Sequence, residues 1–374
     1  MAKMTLDPIE KAVAEIAAGR PVVVVDDEDR ENEGDLIMAA EKATPESVAF
    51  IVRHTSGILC TPIEGRQAKA LNLQPMVAEN DAPLSTAFTV SIDYRHGLTT
   101  GISAEERCNT VRALANPNVG AADFVRPGHI FPLVAKDGGV LIRTGHTEAA
   151  VDLAKLAGCA PAGLICELVN DDGSVKKGAD LESFAREHDL ALVSIDDLIA
   201  YRQKREKLVE RLDERMTDTA IGPMRAITYS TQYDQAEHVA LVYGDIEGRE
   251  DVLVRLHVEN VLQDAFGGAD RPVMAALDRI REDGAGVLVY LRHGAAGVSE
   301  SRRVQALEAA ADGEGAESDA ARREHWRDVG LGAQILRDLG LRKIRVLASR
   351  ERQYVGLSGF DIEITETAIY PGDA

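Results

Sequence analysis

Four consecutive valines, Val22–Val25, run straight into the densest acidic cluster of the chain. Asp26 to Asp35 contains seven carboxylates, one arginine and one glycine. The valine run reads as a buried strand, and a buried strand needs a sheet and a core around it. The acids that follow are either a solvated loop or a set of carboxylates converging on a cation.

With 374 residues the chain is long enough for two domains, each with its own core. A formal net charge of −20 argues against nonspecific binding to nucleic acid or an anionic membrane, since both attract basic surfaces. An anionic substrate would need a local pocket of Arg, His or metal set against that field. No apolar run is long enough to span a bilayer, and MAKMTLDPIEK lacks the apolar core of a secretory signal, so a cytoplasmic location is expected. Cys60, Cys108, Cys159 and Cys166 show no CxxC spacing and read as scattered reduced thiols. No thiolate ligand can come from beyond Cys166.

Periodicity places an amphipathic helix after Asp7 as N-cap, with Pro8 in its first turn and Ile9, Val13 and Ile16 on one face. A second helix is expected over Pro45–His54, a strand over Thr86–Asp93, and another helix in AEERCNTVRALA. GGVLIRTGHTEAAVDLAKLAG reads as strand, loop and helix with Thr147 as N-cap, and PAGLICELV as a strand. The charged stretch Tyr201–Thr217 is expected to be a connecting helix. Beyond it strands and helices alternate as in an α/β domain. The segment Glu308–Glu324 reads as a mobile acidic loop.

Four places in the first half could carry chemistry. Glu31 lies in the acidic loop. His146 precedes the expected start of a helix, whose unpaired amides suit a phosphate, with Arg143 and Thr147 adding donors. His129 stands between Gly128 and an apolar run. Alternation puts Glu167 on the face of Ile165, where a carboxylate must be paired or have a raised pKa. Each of these, taken singly, is also compatible with an ordinary structural residue.

VVVVDDEDRENEGDLIMAAE, TAFTVSID with LTTGISAEER, FVRPGHIFPL, GGVLIRTGHTEAAVDLAKLAG and PAGLICELVNDDG together resemble 3,4-dihydroxy-2-butanone 4-phosphate synthase of riboflavin biosynthesis, from about Thr5 to Leu198. The resemblance implies conversion of ribulose 5-phosphate to 3,4-dihydroxy-2-butanone 4-phosphate and formate with Mg²⁺ or Mn²⁺. It implies Glu31 and His146 as metal ligands, and His129 and Glu167 as catalytic groups. Arg30, Glu31, Asp35, Arg143, Thr144, Gly145, His146, Thr147 and Glu167 are the substrate-binding set. Enolisation, loss of a hydroxyl, a skeletal shift and release of formate all need acid–base groups and a Lewis acid on vicinal oxygens. A histidine ligand is unusual for Mg²⁺ and makes Mn²⁺ a natural alternative. Glu106 stands where the family usually has Asp, a mild departure. The implied fold is an α+β domain, a mixed sheet surrounded by helices, acting as a homodimer whose active sites use residues of both subunits.

EHVALVYGDI, VRLHVEN, GLGAQILRDLGLRKIRVL and VGLSGFDIEITE resemble GTP cyclohydrolase II, from about Ile221 to Glu366. The expected organisation is a synthase domain over 1–205 and an α/β cyclohydrolase-like domain over 206–374. That family holds zinc on three cysteines, and Asn260, Arg271 and Val273 occupy those positions here. Gly294, Ala296 and Val329 replace further family residues. An amide, a cation and a valine cannot replace three soft ligands, so no zinc is expected and the domain reads as a degenerate structural or regulatory partner. The alternative is a bifunctional enzyme with another ligand set, such as His257, Glu259 and His293. A scaffold lacking both activities is a third reading, disfavoured by the intact acidic and GHT loops.

Overall fold

All four valines of the opening run are buried in a strand that is paired on both sides. This computed structural model describes residues 4–26, 31–82, 86–231, 234–267, 271–292, 330–348 and 362–369. Contacts divide the chain into two units, Met1–Tyr201 and Arg202–Ala374.

The first unit runs α1 (Ile9–Ala17), β1 (Val22–Val25), β2 (Gly34–Ala39), α2 (Pro45–His54), β3 (Cys60–Glu64), α3 (Gly65–Ala70) and β4 (Ile92–Tyr94). It continues through α4 (Ala104–Ala115), β5 (Phe124–Ala135), α5 (His146–Leu156), β6 (Gly163–Glu167), α6 (Ala179–Glu187), β7 (Leu192–Ser194) and α7 (Ile195–Arg205). Its seven strands form one mixed sheet in the order β4-β5-β3-β6-β2-β1-β7. Alternation sends the valines to opposite faces. Val23 and Val25 join Leu36, Met38, Leu164 and Cys166 in a core with residues of α2, α4 and α6. Val22 and Val24 join Ile37 and Ile165 in a second core with α1, α5 and α7. Burying each such side chain is worth roughly 1.5–3 kcal/mol, so both faces hold β1 at the centre of the unit. The fold is thus the expected mixed sheet between helices.

The second unit contains β8 (Val209–Thr219), β9 (Gly222–Thr231), β10 (Asp234–Tyr243), β11 (Val252–Val258), α8 (Val261–Phe266) and α9 (Pro272–Asp283). It ends with β12 (Gly286–Leu291), a helix α10 over 330–338, β13 (Lys343–Ala348) and β14 (Glu363–Ile369). Its sheet order is β14-β13-β11-β12-β10-β9-β8, with β14, β13, β11 and β12 parallel and the other strands antiparallel. Leu253, Leu288 and Leu347 of this sheet pack with Leu277 and Ile280 of α9.

Several local expectations fail for identifiable reasons. Tyr201–Thr217 is not one helix: α7 stops at Arg205, and β8 begins at Val209 in a long antiparallel pair with β9. Its charged side chains ride an exposed edge, where the ladder, not helix propensity, decides. Asp7 does not cap α1. Pro8 holds that position, while the Asp7 carboxylate accepts from Lys11 Nζ and the Leu192 amide. GGVLI is a short 3₁₀ turn and not a strand, because the Val140 amide donates to the buried carboxylate of Asp152. Only Ile92 and Asp93 of the expected Thr86–Asp93 strand belong to a named strand. Arg30, Glu308–Glu324, Gly294, Ala296, Val329 and His293 lie outside the described residues.

Candidate active site

Asp26 and Glu31, from the two described ends of the acidic stretch, meet His146 at the start of α5 beside the end of β1. Asp26, the first residue after the valines, closes the loop by accepting from the amides of Glu31 (3.1 Å) and Glu33 (2.9 Å). α5 begins two residues earlier than expected. Gly145 is its N-cap, His146 its first residue, and Thr147 lies inside the first turn. This start carries the buried His146 to the sheet, where its Nε2 donates to the Val24 carbonyl at 3.1 Å. The other ring nitrogen, Nδ1, lies 3.6 Å from Glu31 Oε2 and 3.9 Å from Asp35 Oδ1. Ligand atoms of Asp26, Glu31 and His146 all lie within 4.8 Å of one another. Asp26 was not picked out from the sequence. Its signal was its place, as the first residue beyond a buried strand.

Asp35 and Glu167 stand directly opposite each other in the β2–β6 ladder, and Val24 flanks Asp35 on the other side. Glu167 therefore reaches the same patch from a third strand, and its Oε2 accepts from Ser56 Oγ at 2.7 Å. Burial pushes the Asp35 carboxyl up, against the pull of the His146 imidazolium, and the Glu167 and Glu31 charges push it further. Burial works against the His146 imidazolium, yet the Asp35, Glu31 and Asp26 carboxylates outweigh it and hold His146 above its ordinary value. The buried Asp35 Oδ1 has no hydrogen-bond partner. That orphaned oxygen, the facing carboxylates and an imidazole oriented through its far nitrogen fit a hard divalent cation.

Arg143 lies beside the helix start. Its guanidinium donates to the buried Glu148 carboxylate at 2.7 Å and to Thr86 Oγ1 at 3.2 Å. Glu148 also accepts from the Lys136 amide, which ties the loop down. Thr144 Oγ1 is buried with no partner, next to the amides of the first turn of α5. Unpaired amides at a helix start carry a partial positive charge that suits an anionic oxygen.

His129 is held apart from this group. Its Nδ1 lies 2.7 Å from Asp93 Oδ2, and its amide donates to Asp93 Oδ1 at 2.8 Å. β5, which carries it, is three strands from β2 in the sheet, about 14 Å at ordinary strand spacing. In the second unit, Asn260, Arg271 and Val273, the residues expected at the zinc-cysteine positions, each have a local contact. Asn260 caps α8 through the Gln263 amide, Arg271 Nε donates to the Gly267 carbonyl, and Val273 packs on the core of its unit. His257 Nε2 is bound to Asp264 at 2.9 Å, and Tyr290 donates to the same carboxylate at 2.6 Å.

The family model for 3,4-dihydroxy-2-butanone 4-phosphate synthase matches residues 10–201, and that for GTP cyclohydrolase II matches 210–368. The riboflavin biosynthesis protein RibBA of Nocardia farcinica is 51% identical over 98% of this chain and 91% of its own length. RibBA of Mycobacterium tuberculosis is 50% identical over 98% and 89%. Among solved structures, RibBX of A. baumannii, described as a two-domain 3,4-dihydroxy-2-butanone 4-phosphate synthase, is 38% identical. It covers 97% of this chain and 99% of its own, with a TM-score of 0.79. A 3,4-dihydroxy-2-butanone 4-phosphate synthase solved with two magnesium ions is 43% identical over 54% of this chain and 98% of its own, with a TM-score of 0.52. The chain thus belongs to the 3,4-dihydroxy-2-butanone 4-phosphate synthase family of riboflavin biosynthesis, with a second domain of the GTP cyclohydrolase II family behind the first.

Proposed function

We propose that the first unit converts ribulose 5-phosphate to 3,4-dihydroxy-2-butanone 4-phosphate and formate in a divalent-metal-dependent reaction. The observation that carries this is the meeting of His146 Nδ1 with Glu31 and Asp35 at the end of the valine strand, beside the donors of Arg143 and the α5 start. Glu31 and His146, joined by Asp26, would hold Mg²⁺ or Mn²⁺. Such an ion supplies Lewis acidity to vicinal sugar oxygens. The amides at the start of α5, Thr144, Thr147 and Arg143 hold the phosphate. Asp35 accepts from a sugar hydroxyl, and Arg30 of the acidic loop adds a cation to the substrate. Glu167 and His129 move protons. The strand distance between His129 and β2 supports a homodimer in which His129 serves the cluster of a second copy. The test is formate release from ribulose 5-phosphate with Mg²⁺, abolished by EDTA and by His146→Ala. Metal-independent release would overturn the reading.

The second unit is proposed to have lost GTP cyclohydrolase activity and to serve stability, assembly or regulation. What supports this is the employment of Asn260 as a cap, Arg271 as a carbonyl partner and Val273 as core, none of them a zinc ligand. The relatives named RibBA, about half identical over nearly the whole chain, favour the bifunctional alternative, which in this chain would need another ligand set. A GTP assay with added zinc separates the two. Turnover comparable to the synthase rate sinks the proposed loss.

A further inference from the structure

We propose that Asp93 is a positioning residue that locks the tautomer and direction of His129, leaving Nε2 as the proton-transferring atom. The inference rests on the reading of His129 as a catalytic group. β4 and β5 pair through a register jump: Ile92 faces Ile130, while the next residue, Asp93, faces Val125. Arg126–His129 therefore bow out of the ladder, as bulges do where a side chain must be re-aimed. The Asp93 side chain is 4% exposed, and both its oxygens serve one residue, Oδ1 the His129 amide and Oδ2 the ring Nδ1. A carboxylate accepts, so the Nδ1 proton is fixed on that side and Nε2 is left for substrate. The His129 side chain is 39% exposed, so the ring has one sealed edge and one open edge.

Two glycines make room for this pair. A Cβ on Gly128 would strike the Ile92 carbonyl carbon and the Asp93 amide, so only glycine lets the bulge lie this close to β4. Gly101, at φ +88°, covers the hydrogen bond itself, since a Cβ there would meet both Asp93 Oδ2 and His129 Nδ1. The environment thus shields the Asp93–His129 bond from water while leaving the far nitrogen accessible. A buried carboxylate spent wholly on one histidine is the arrangement that sets imidazole direction in acid–base sites.

The test uses the full chain with ¹⁵N-labelled histidine, His129 being assigned from the signals lost in His129→Ala. In the neutral ring, wild type is expected to show a protonated Nδ1 and a bare Nε2. Asp93→Asn is expected to reverse that pattern, because an amide can donate to Nδ1, and to lower kcat about 100-fold with KM within about threefold. A wild-type ring protonated on Nε2 overturns the proposal whether or not any variant folds. An Asp93→Asn protein with the wild-type ring pattern, or with unchanged kcat, also overturns it. Unchanged kcat in His129→Ala instead removes the catalytic role of His129, a separate outcome.

Discussion

His146 donates from Nε2 to the carbonyl of Val24 while turning Nδ1 toward Glu31, 3.6 Å away. A strand residue with an apolar side chain thereby orients, through its backbone, the imidazole proposed to hold the metal. His146→Ala and Glu31→Gln are each expected to cut metal-dependent formate release by at least about 100-fold, since loss of a ligand costs more than loss of the groups behind it. Mn²⁺ titration should show weakened binding in both. Unchanged Mn²⁺ affinity in either variant excludes that residue from the metal site.

Glu167 faces Asp35 across the ladder and is held by Ser56. Glu167→Gln keeps the shape and the Ser56 bond but removes the ionisable group. The expected result is a kcat loss of about 10²–10⁴-fold with Mn²⁺ affinity little changed. Retained turnover would reduce Glu167 to a structural partner of Ser56.

The amide and hydroxyl of Thr99, with Ser103, hold the Glu106 carboxyl down at about 2, from an ordinary 4.5. A depressed carboxyl adds stability above its unfolded pKa and loses it as pH falls through the folded one. Glu106→Gln should therefore melt at a lower temperature than wild type at pH 7, and the gap should close between pH 4.5 and 2. A gap that is the same at both ends assigns the effect to something other than charge.

Gly128→Ala places a methyl against the backbone of Ile92 and Asp93. The expected cost is about 1–3 kcal/mol in denaturant unfolding, as for other overpacked sites. Unfolding at the wild-type midpoint would mean the β4–β5 approach is looser than described.

Local chemistry made much of this protein readable before any coordinates. The valine run read as a buried strand, Pro45–His54 read as a helix, and the DEDRENEGD and GHT motifs carried the family resemblance. Chain-local signals stopped where partners are distant in sequence. Nothing near Asp26 announces that it closes the loop between β1 and β2 and joins His146, 120 residues away. Nothing near Arg205 says that the charged run after it will pair with β9. The Val140 amide turned to Asp152, 12 residues further on in the middle of α5, and so never joined a ladder. Asp93 looked like the end of a strand until the bulge in β5 delivered His129 to both its oxygens. Sequence determined which residue types were present and which segments must be buried, because hydrophobic patterning and capping act within a few residues. Tertiary structure alone decided which carboxylate meets which histidine, because those pairings depend on sheet order and register.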